Sequence, residues 1–65
     1  MNPKSYRYNI WTPSQTGRHV QIMSIIAENR AEARRQAVRQ LQHPGRLELF
    51  QAWRDSGFNM TREAL

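Results

Sequence analysis

Residues 29–42, with the sequence NRAEARRQAVRQLQ, contain the strongest local signal in the chain and predict an α-helix. Asn29 is a good N-cap, because its side-chain oxygen can accept a hydrogen bond from a free amide of the first turn. Glu32 stands at the third helical position, where a carboxylate faces the positive end of the helix dipole. Alanine, arginine and glutamine then dominate, and all three propagate a helix well. Pro44 and Gly45 are predicted to end the helix.

One side of this predicted helix is apolar. On a helical wheel Ala33, Ala37 and Leu41 form a stripe, which is predicted to lie on a sheet. Arg34 falls at the border of the stripe, where its aliphatic stem can cover the edge of the core. The residues that point the other way are Glu32, Arg35, Gln36, Arg39 and His43.

Two strands are predicted before the helix. Tyr6, Tyr8 and Ile10 alternate with polar residues, which indicates a strand from about residue 6 to residue 11. Turn-forming residues fill 12–17. A second strand is predicted from about 19 to 27, so the two strands form an antiparallel hairpin. Its apolar residues change phase partway along, which indicates either a β-bulge or burial on both faces.

Residues 46–54 are compatible with two structures. Leu47 and Leu49 alternate with charged residues, as in a strand, whereas Leu47, Phe50 and Trp53 recur at a spacing of three, as in a helix. We favour the strand, because a two-stranded hairpin alone is marginally stable and a third strand would complete the sheet.

The predicted fold class is therefore α+β, in the order ββαβ: a small antiparallel sheet with one helix packed on it. Residues 55–65 are predicted as a tail with at most one helical turn, capped by Thr61. We expect residues 1–65 to form one small domain with its core at about 6–54.

Length and composition restrict how such a domain can be stabilised. A core in a chain of 65 residues rarely supplies more than about 3–5 kcal/mol. There is no cysteine, so disulfides and thiolate metal sites are excluded, and a homodimer is one source of added stability. The longest apolar stretch, residues 22–27, is too short to span a membrane. With no export signal and no cysteine, a cytoplasmic location is expected.

Catalytic and metal-binding patterns are not found in the sequence. The two histidines, His19 and His43, fall in different elements, and a zinc site needs about four ligands. The five acidic residues are scattered, and there is no glycine-rich phosphate loop or nucleophile motif. We expect no enzymatic activity, no metal and no cofactor.

The charge points to an acidic partner. Ten basic residues against five acidic ones give a net charge of +5, and nine of the ten are arginine. Arginine forks bind phosphates and carboxylates bidentately. Arg35 and Arg39 lie one turn apart on the predicted helix, where like charges repel, so helix stability alone does not favour them. The alternative is that these residues form an ordinary solvated helix face.

Aromatic residues could extend a basic surface. Trp11 is out of phase with the apolar residues of its strand, so it is predicted on the outer face beside Arg7, where an indole could stack on a base or anchor a protein interface. For Tyr8, Phe50 and Trp53 we favour the core. The candidate nucleic-acid-binding residues are Arg7, Arg18, Arg30, Arg34, Arg35, Arg39, Arg46 and Trp11.

The segment IIAENRAEARRQA, residues 25–37, followed by Pro44-Gly45, resembles small ββαβ proteins encoded by phages and plasmids. The likeness covers about residues 6–54. These proteins include DNA-binding accessory domains and host-directed inhibitors, among them a phage inhibitor of bacterial RNA polymerase. The inhibitor's helix is acidic where this one has Arg34, Arg35 and Arg39, so the resemblance does not imply the same target.

Three hypotheses follow. The first is a non-enzymatic accessory protein that binds nucleic acid through the arginines of the helix. The second is a protein-interaction module, an inhibitor or adaptor of phage or plasmid type, that binds an acidic protein surface or adds a strand to its sheet. The third is a homodimer with a structural role.

Overall fold

The protein, described by a computed structural model over residues 5–14 and 16–65, combines a three-stranded sheet with two helices. In chain order the elements are β1 (Tyr6–Pro13), β2 (His19–Ala27), α1 (Arg30–Leu41), a 3-10 turn (Pro44–Arg46), α2 (Leu47–Asp55) and β3 (Met60–Ala64). The sheet is antiparallel with the order β2-β1-β3, and both helices pack on one of its faces. The α+β class is confirmed, but the order ββαβ is not, because a second helix precedes the last strand.

The change of phase in β2 is a β-bulge. Ile10 pairs with Met23 and the next residue, Trp11, pairs with Gln21, so Ile22 is the extra residue. The extra residue shifts the alternation of side chains by one position. Apolar residues on both sides of the bulge therefore face the same side of the sheet.

The hairpin turn is shorter than the predicted loop 12–17, because β1 continues to Pro13. The amide of Ser14 donates to the carbonyl of Arg18, and the amide of Gly17 donates to the carbonyl of Ser14 at 2.9 Å. Gly17 has a φ of +85°, a conformation that glycine adopts without steric cost. Gln15 lies outside the described residues.

α1 begins and packs as predicted. The side chain of Asn29 accepts a hydrogen bond from the amide of Glu32 at 2.8 Å, which caps the first turn. Ala33, Ala37 and Leu41 are all buried against the sheet. The small side chains of the two alanines allow the helix to lie close to the strands.

The prediction of a strand at residues 46–54 is wrong, because Leu47–Asp55 is the helix α2. Leu47 and Leu49, whose alternation favoured the strand, are both exposed, whereas Trp53 is buried and Phe50 is half-buried. The spacing of three between Phe50 and Trp53 places both rings toward the core on a helix. Burial of the aromatic residues, and not the alternation of leucines, therefore decides this segment.

The third strand lies in the segment that was predicted as a tail, residues 55–65. Met60 pairs with Ile10 and Thr61 with Asn9, so β3 runs antiparallel along the free side of β1. No helical turn forms at Thr61. Met60 is the only buried residue of β3, which is why the segment shows no strand pattern in the sequence.

α2 ends in a Schellman motif that turns the chain toward the sheet. The amide of Gly57 donates to the carbonyl of Arg54 at 3.0 Å, and the amide of Phe58 donates to the carbonyl of Trp53 at 3.0 Å. The rings of Phe58 and Trp53 meet edge to face, with their centroids 4.9 Å apart. This is the hydrophobic contact that accompanies the motif. It fixes the direction in which the chain continues into β3.

Trp53 joins α2 to the sheet. It is fully buried and has the largest side chain in the core. Its indole nitrogen donates to the carbonyl of Asn59 at 3.0 Å, and the same carbonyl accepts the main-chain amide of Trp11, also at 3.0 Å. One carbonyl directly before β3 therefore binds both the second helix and the central strand.

Replacing Gly57 with alanine should lower the free energy of unfolding by about 1–2 kcal/mol, the usual cost of placing an L-residue in the left-handed region. Gly57 has a φ of +81°, and no atom lies within 4 Å of the position of an added Cβ, so backbone conformation alone produces the loss. Urea unfolding of both proteins measures it.

Gly45→Ala is the matched control, because an added Cβ at Gly45 also meets open space and its φ is outside the left-handed region. We expect no loss there, and a gain of up to about 1 kcal/mol. Equal losses of unfolding free energy at the two positions would contradict the explanation that the left-handed backbone of Gly57 causes the loss.

Candidate nucleic-acid interface

Three arginines surround Ala31 on the exposed side of α1. Arg30 and Arg34 line one shallow depression with Ala31, and Arg34 and Arg35 line a second one with Ala31 and Val38. Arg34 and Arg35 are three and four residues from Ala31 and so are its neighbours on the helix surface, whereas Arg30 precedes it directly. The result is two adjoining depressions, each lined by arginines and open to solvent.

Contacts with residues 58–60, at and just before the start of β3, hold two of these arginines in place. The Arg30 Nη1 donates to the carbonyl of Met60 at 3.1 Å. The guanidinium carbon of Arg34 lies 5.3 Å from the centroid of the Phe58 ring, within the range of a cation–π contact. A guanidinium has five N–H donors, so both groups keep donors for an anion.

Arg35 and Arg39 continue the positive charge along the solvent side of α1. Arg35 pairs with Glu32 at 3.0 Å, and the pair is well exposed, so it contributes little to stability. Gln36 also donates to Glu32, at 3.3 Å. Arg39 is exposed and has no carboxylate within 4.0 Å among the residues described.

Arg62 belongs to the same side of the molecule and was missed in the sequence. Its guanidinium carbon lies 4.6 Å from the centroid of the Tyr6 ring. Arg62 is two residues along β3 from Met60, a distance of about 7 Å, and the Met60 carbonyl is the one that Arg30 contacts. Because residues 55–65 were predicted as a tail, the sequence did not indicate the contact between Arg62 and Tyr6. We call Arg30, Arg34, Arg35, Arg39 and Arg62 the arginine surface.

Arg7 and Trp11 lie on the opposite face of the sheet, which the helices do not cover. Both alternate with Tyr8 and Ile10 of the core, as the sequence predicted, and the buried Asn9 lies between them on their own face. Arg7 is 3.7 Å from Glu63, and the indole nitrogen of Trp11 donates to the hydroxyl of Thr61 at 2.8 Å. The predicted addition of Arg7 and Trp11 to the helix arginines is therefore not seen.

The other polar side chains of this open face are hydrogen-bonded to one another. Gln21 donates to the side chain of Asn9 at 2.9 Å, and the amide nitrogen of Asn59 is 3.1 Å from Nδ1 of His19. These pairs connect β1 to β2 and β2 to the start of β3. The open face thus has few free donors for a ligand.

Arg18 and Arg46 also lie away from the arginine surface. Arg18 is exposed in the hairpin turn. Arg46 lies in the 3-10 turn beyond the end of α1, beside a shallow depression that Gln40, His43 and Gly45 also line. The eight predicted site residues therefore separate into one group of four on α1 and four residues elsewhere.

Most of the positive charge is not neutralised. Ion pairs in the described residues involve only Arg7, Arg35 and Arg54, at 3.7, 3.0 and 3.8 Å. All five acidic residues are within the described ranges, and two of them, Glu28 and Glu48, also have no ion pair there. The unpaired arginines are Arg18, Arg30, Arg34, Arg39, Arg46 and Arg62.

Two features are absent from the described ranges. Residues 5–14 and 16–65 contain no group of three or more histidine, cysteine or acidic side chains arranged to hold a metal. None of the helices found there has the length and apolar character needed to cross a membrane.

Comparison of the chain with protein-family models, with curated proteins and with solved structures gave no match.

Proposed function

We propose that this protein binds nucleic acid without sequence specificity, by holding phosphate groups at the arginine surface. The observation that supports the proposal best is the pair of adjoining depressions beside Ala31, one lined by Arg30 and Arg34 and the other by Arg34 and Arg35. Arg30 and Arg34 have no ion pair among the described residues, and like charges four residues apart on a helix repel, so an anion between them is favourable. Phosphate oxygens match the planar fork of arginine.

The length of the arginine surface also suits a polyanion. Arg34 and Arg39 are five residues apart, so they span about 7.5 Å along α1, and Arg35 lies between them. Over that distance a DNA duplex presents about four phosphate charges on its two strands. Several arginines can therefore engage neighbouring phosphates at once.

Lack of sequence specificity follows from the kind of contact. Phosphate contacts position a protein on nucleic acid but do not read the bases. Trp11, the aromatic residue that was expected to stack on a base, lies on the opposite face of the sheet from the helices, with its indole nitrogen bound to Thr61. The proposed function is therefore that of a non-enzymatic accessory protein.

Replacing Ala31 with glutamate should weaken binding by about eightfold at 0.1 M salt, the expected effect of losing one phosphate contact. The new carboxylate would stand between the arginines and occupy the position of the phosphate. It would also form helix pairs with Arg34 and Arg35, which favour the helix by about 0.2–0.5 kcal/mol each. Fluorescence anisotropy with a labelled DNA duplex measures affinity, and urea unfolding measures stability.

Gln51→Glu is the matched control, because it adds the same charge at an exposed position of α2. We expect a clearly smaller loss of affinity for this variant. Equal losses would show that net charge alone governs binding, and absence of binding by the original protein at low salt would exclude the proposal.

A further inference from the structure

The two edges of the sheet differ, and the β3 edge is blocked. β3 has five residues, two of which are charged. The amide of Trp11 donates to the carbonyl of Asn59, so the main-chain groups of Asn59 face β1. Because these groups alternate in direction along a strand, those of the next residue, Met60, face outward. Arg30 donates to this outward carbonyl. A covered carbonyl and charged residues both oppose the addition of another strand.

The β2 edge is open. β2 has nine residues with no Asp, Glu, Lys, Arg or Pro, so it lacks the residues that usually protect an edge. Main-chain groups of successive residues point to opposite sides of a strand, so the amide of Trp11 faces β3 and the amide of Ile10 faces β2. Met23, which pairs with Ile10, therefore turns its own main-chain groups toward β1. Ser24 and Ile26 therefore turn their main-chain groups outward, and these groups have no partner in the described part of the chain. The Ile26 side chain is 50% exposed.

We propose that β2 pairs antiparallel with β2 of a second copy of this chain, to form a six-stranded sheet with the order β3-β1-β2-β2-β1-β3. Pairing of one edge with itself is an isologous contact, which closes as a dimer. The blocked β3 edges then form the two ends of the larger sheet and stop further growth. A protein with two open edges would instead form fibres.

Charge along β2 favours a second copy in the antiparallel direction. Arg18 and His19 stand at the beginning of the strand, and Glu28 follows its end. Glu28 is exposed and has no ion pair within residues 5–14 and 16–65. Antiparallel pairing brings the basic beginning of each strand toward the acidic end of the other.

The helices leave room for this pairing. α1 contacts both β2 and β1. With its axis over the gap between these two strands, α1 is displaced inward from β2 by half a strand spacing, about 2.4 Å. Two copies of α1 would then be about 10 Å apart, which is the usual distance between packed helices. The side of α1 above the open edge presents Glu32 and Gln36, which line a depression with Ile26. Arg30 and Arg34 are on the β3 side of α1, so the arginine surface of each copy stays accessible.

Measurement of the mass in solution tests the proposal directly. One chain has a mass of 7.7 kDa, so light scattering during size exclusion should give twice that value at high concentration and a lower value on dilution. A monomer at every concentration up to about 1 mM would overturn the proposal, even if an extended peptide from another protein were found to bind the edge.

Hydrogen exchange followed by NMR identifies the edge that pairs. In the dimer, the outward amides of Ser24 and Ile26 should exchange slowly, and dilution should make them exchange faster. The outward amide of Arg62 on the β3 edge is the internal control and should exchange fast throughout. Protection at Arg62 in place of Ser24 and Ile26 would overturn the proposal.

A pair of substitutions at one position separates the main-chain contact from the side chain. Ser24→Pro removes the outward amide but leaves the hydrogen bonds between β1 and β2, so this variant should be monomeric. Ser24→Ala keeps the amide and should still form the dimer. If Ser24→Pro does not fold, Ile26→Lys places a charge on the edge and should give a folded monomer. A dimer that persists in a folded Ser24→Pro or Ile26→Lys variant would overturn the proposal.

Discussion

Replacing Trp53 with alanine should leave the protein largely unfolded at room temperature. Truncation of a buried tryptophan to alanine costs about 3–5 kcal/mol, because apolar contacts are lost and a cavity remains. Trp53 is 0% exposed, contacts the ring of Phe58, and donates to the carbonyl of Asn59. A core of this size supplies only about 3–5 kcal/mol in total, so the substitution removes nearly all of it.

Far-UV circular dichroism and the dispersion of NMR signals measure the folded fraction of the Trp53→Ala variant. Leu49→Ala is the matched control, because Leu49 lies on the same helix but is 39% exposed. Its free energy of unfolding should fall by less than about 1 kcal/mol. A cooperative urea transition in Trp53→Ala within 1 kcal/mol of the original protein would contradict the role that we assign to this residue.

Reversing the charge of Arg35 and Arg39 together should reduce affinity for a DNA duplex by roughly 60-fold or more at 0.1 M salt. Two lost phosphate contacts account for that factor, since each contributes about 0.9 to the slope of log K against log salt. The slope, near −3.6 if about four phosphates are bound, should change by about 1.8. Both side chains are exposed, and neither hydrogen-bonds to the core, so the fold should persist.

The control for Arg35→Glu with Arg39→Glu is Arg7→Glu with Arg18→Glu, which changes the net charge by the same amount. Arg7 is on the open sheet face and Arg18 is in the hairpin turn, so this variant should keep most of the affinity. Anisotropy titrations between about 0.05 and 0.2 M salt compare the two variants. If both lose affinity and slope equally, the binding surface is not the one on α1.

The elements that could be predicted from the sequence are those whose signals are local. The Asn29 cap, the apolar stripe of α1 and the alternation of β1 each depend on residues within one or two turns of each other, and all three are found. The phase change in β2 also indicated the bulge at Ile22 as one of two alternatives.

The second helix and the last strand could not be predicted in the same way, because long-range contacts determine them. Leu47 and Leu49 imitate a strand, but the burial of Trp53 between helix and sheet fixes the helix. β3 contains charged residues of low strand propensity, and it forms because β1 offers a free side for pairing.

The candidate site was predictable only in part for the same reason. Periodicity placed Arg35 and Arg39 on the solvent side of α1, and it placed Trp11 beside Arg7 on the outer face of β1. It could not show that Arg30 and Arg34 turn toward β3, or that Arg62 lies on the same side, since both depend on where the last strand lies.

The indole nitrogens of both tryptophans donate to neighbouring residues of one short segment, Trp53 to the carbonyl of Asn59 and Trp11 to the hydroxyl of Thr61. One indole is in the dry interior and the other is partly exposed to water on the opposite face. Detachment of β3 from β1 would break the hydrogen bond of the Trp11 indole and expose the ring of Trp53 to water. The intrinsic fluorescence of this chain is thus a natural optical probe for the attachment of its final strand, without any added label.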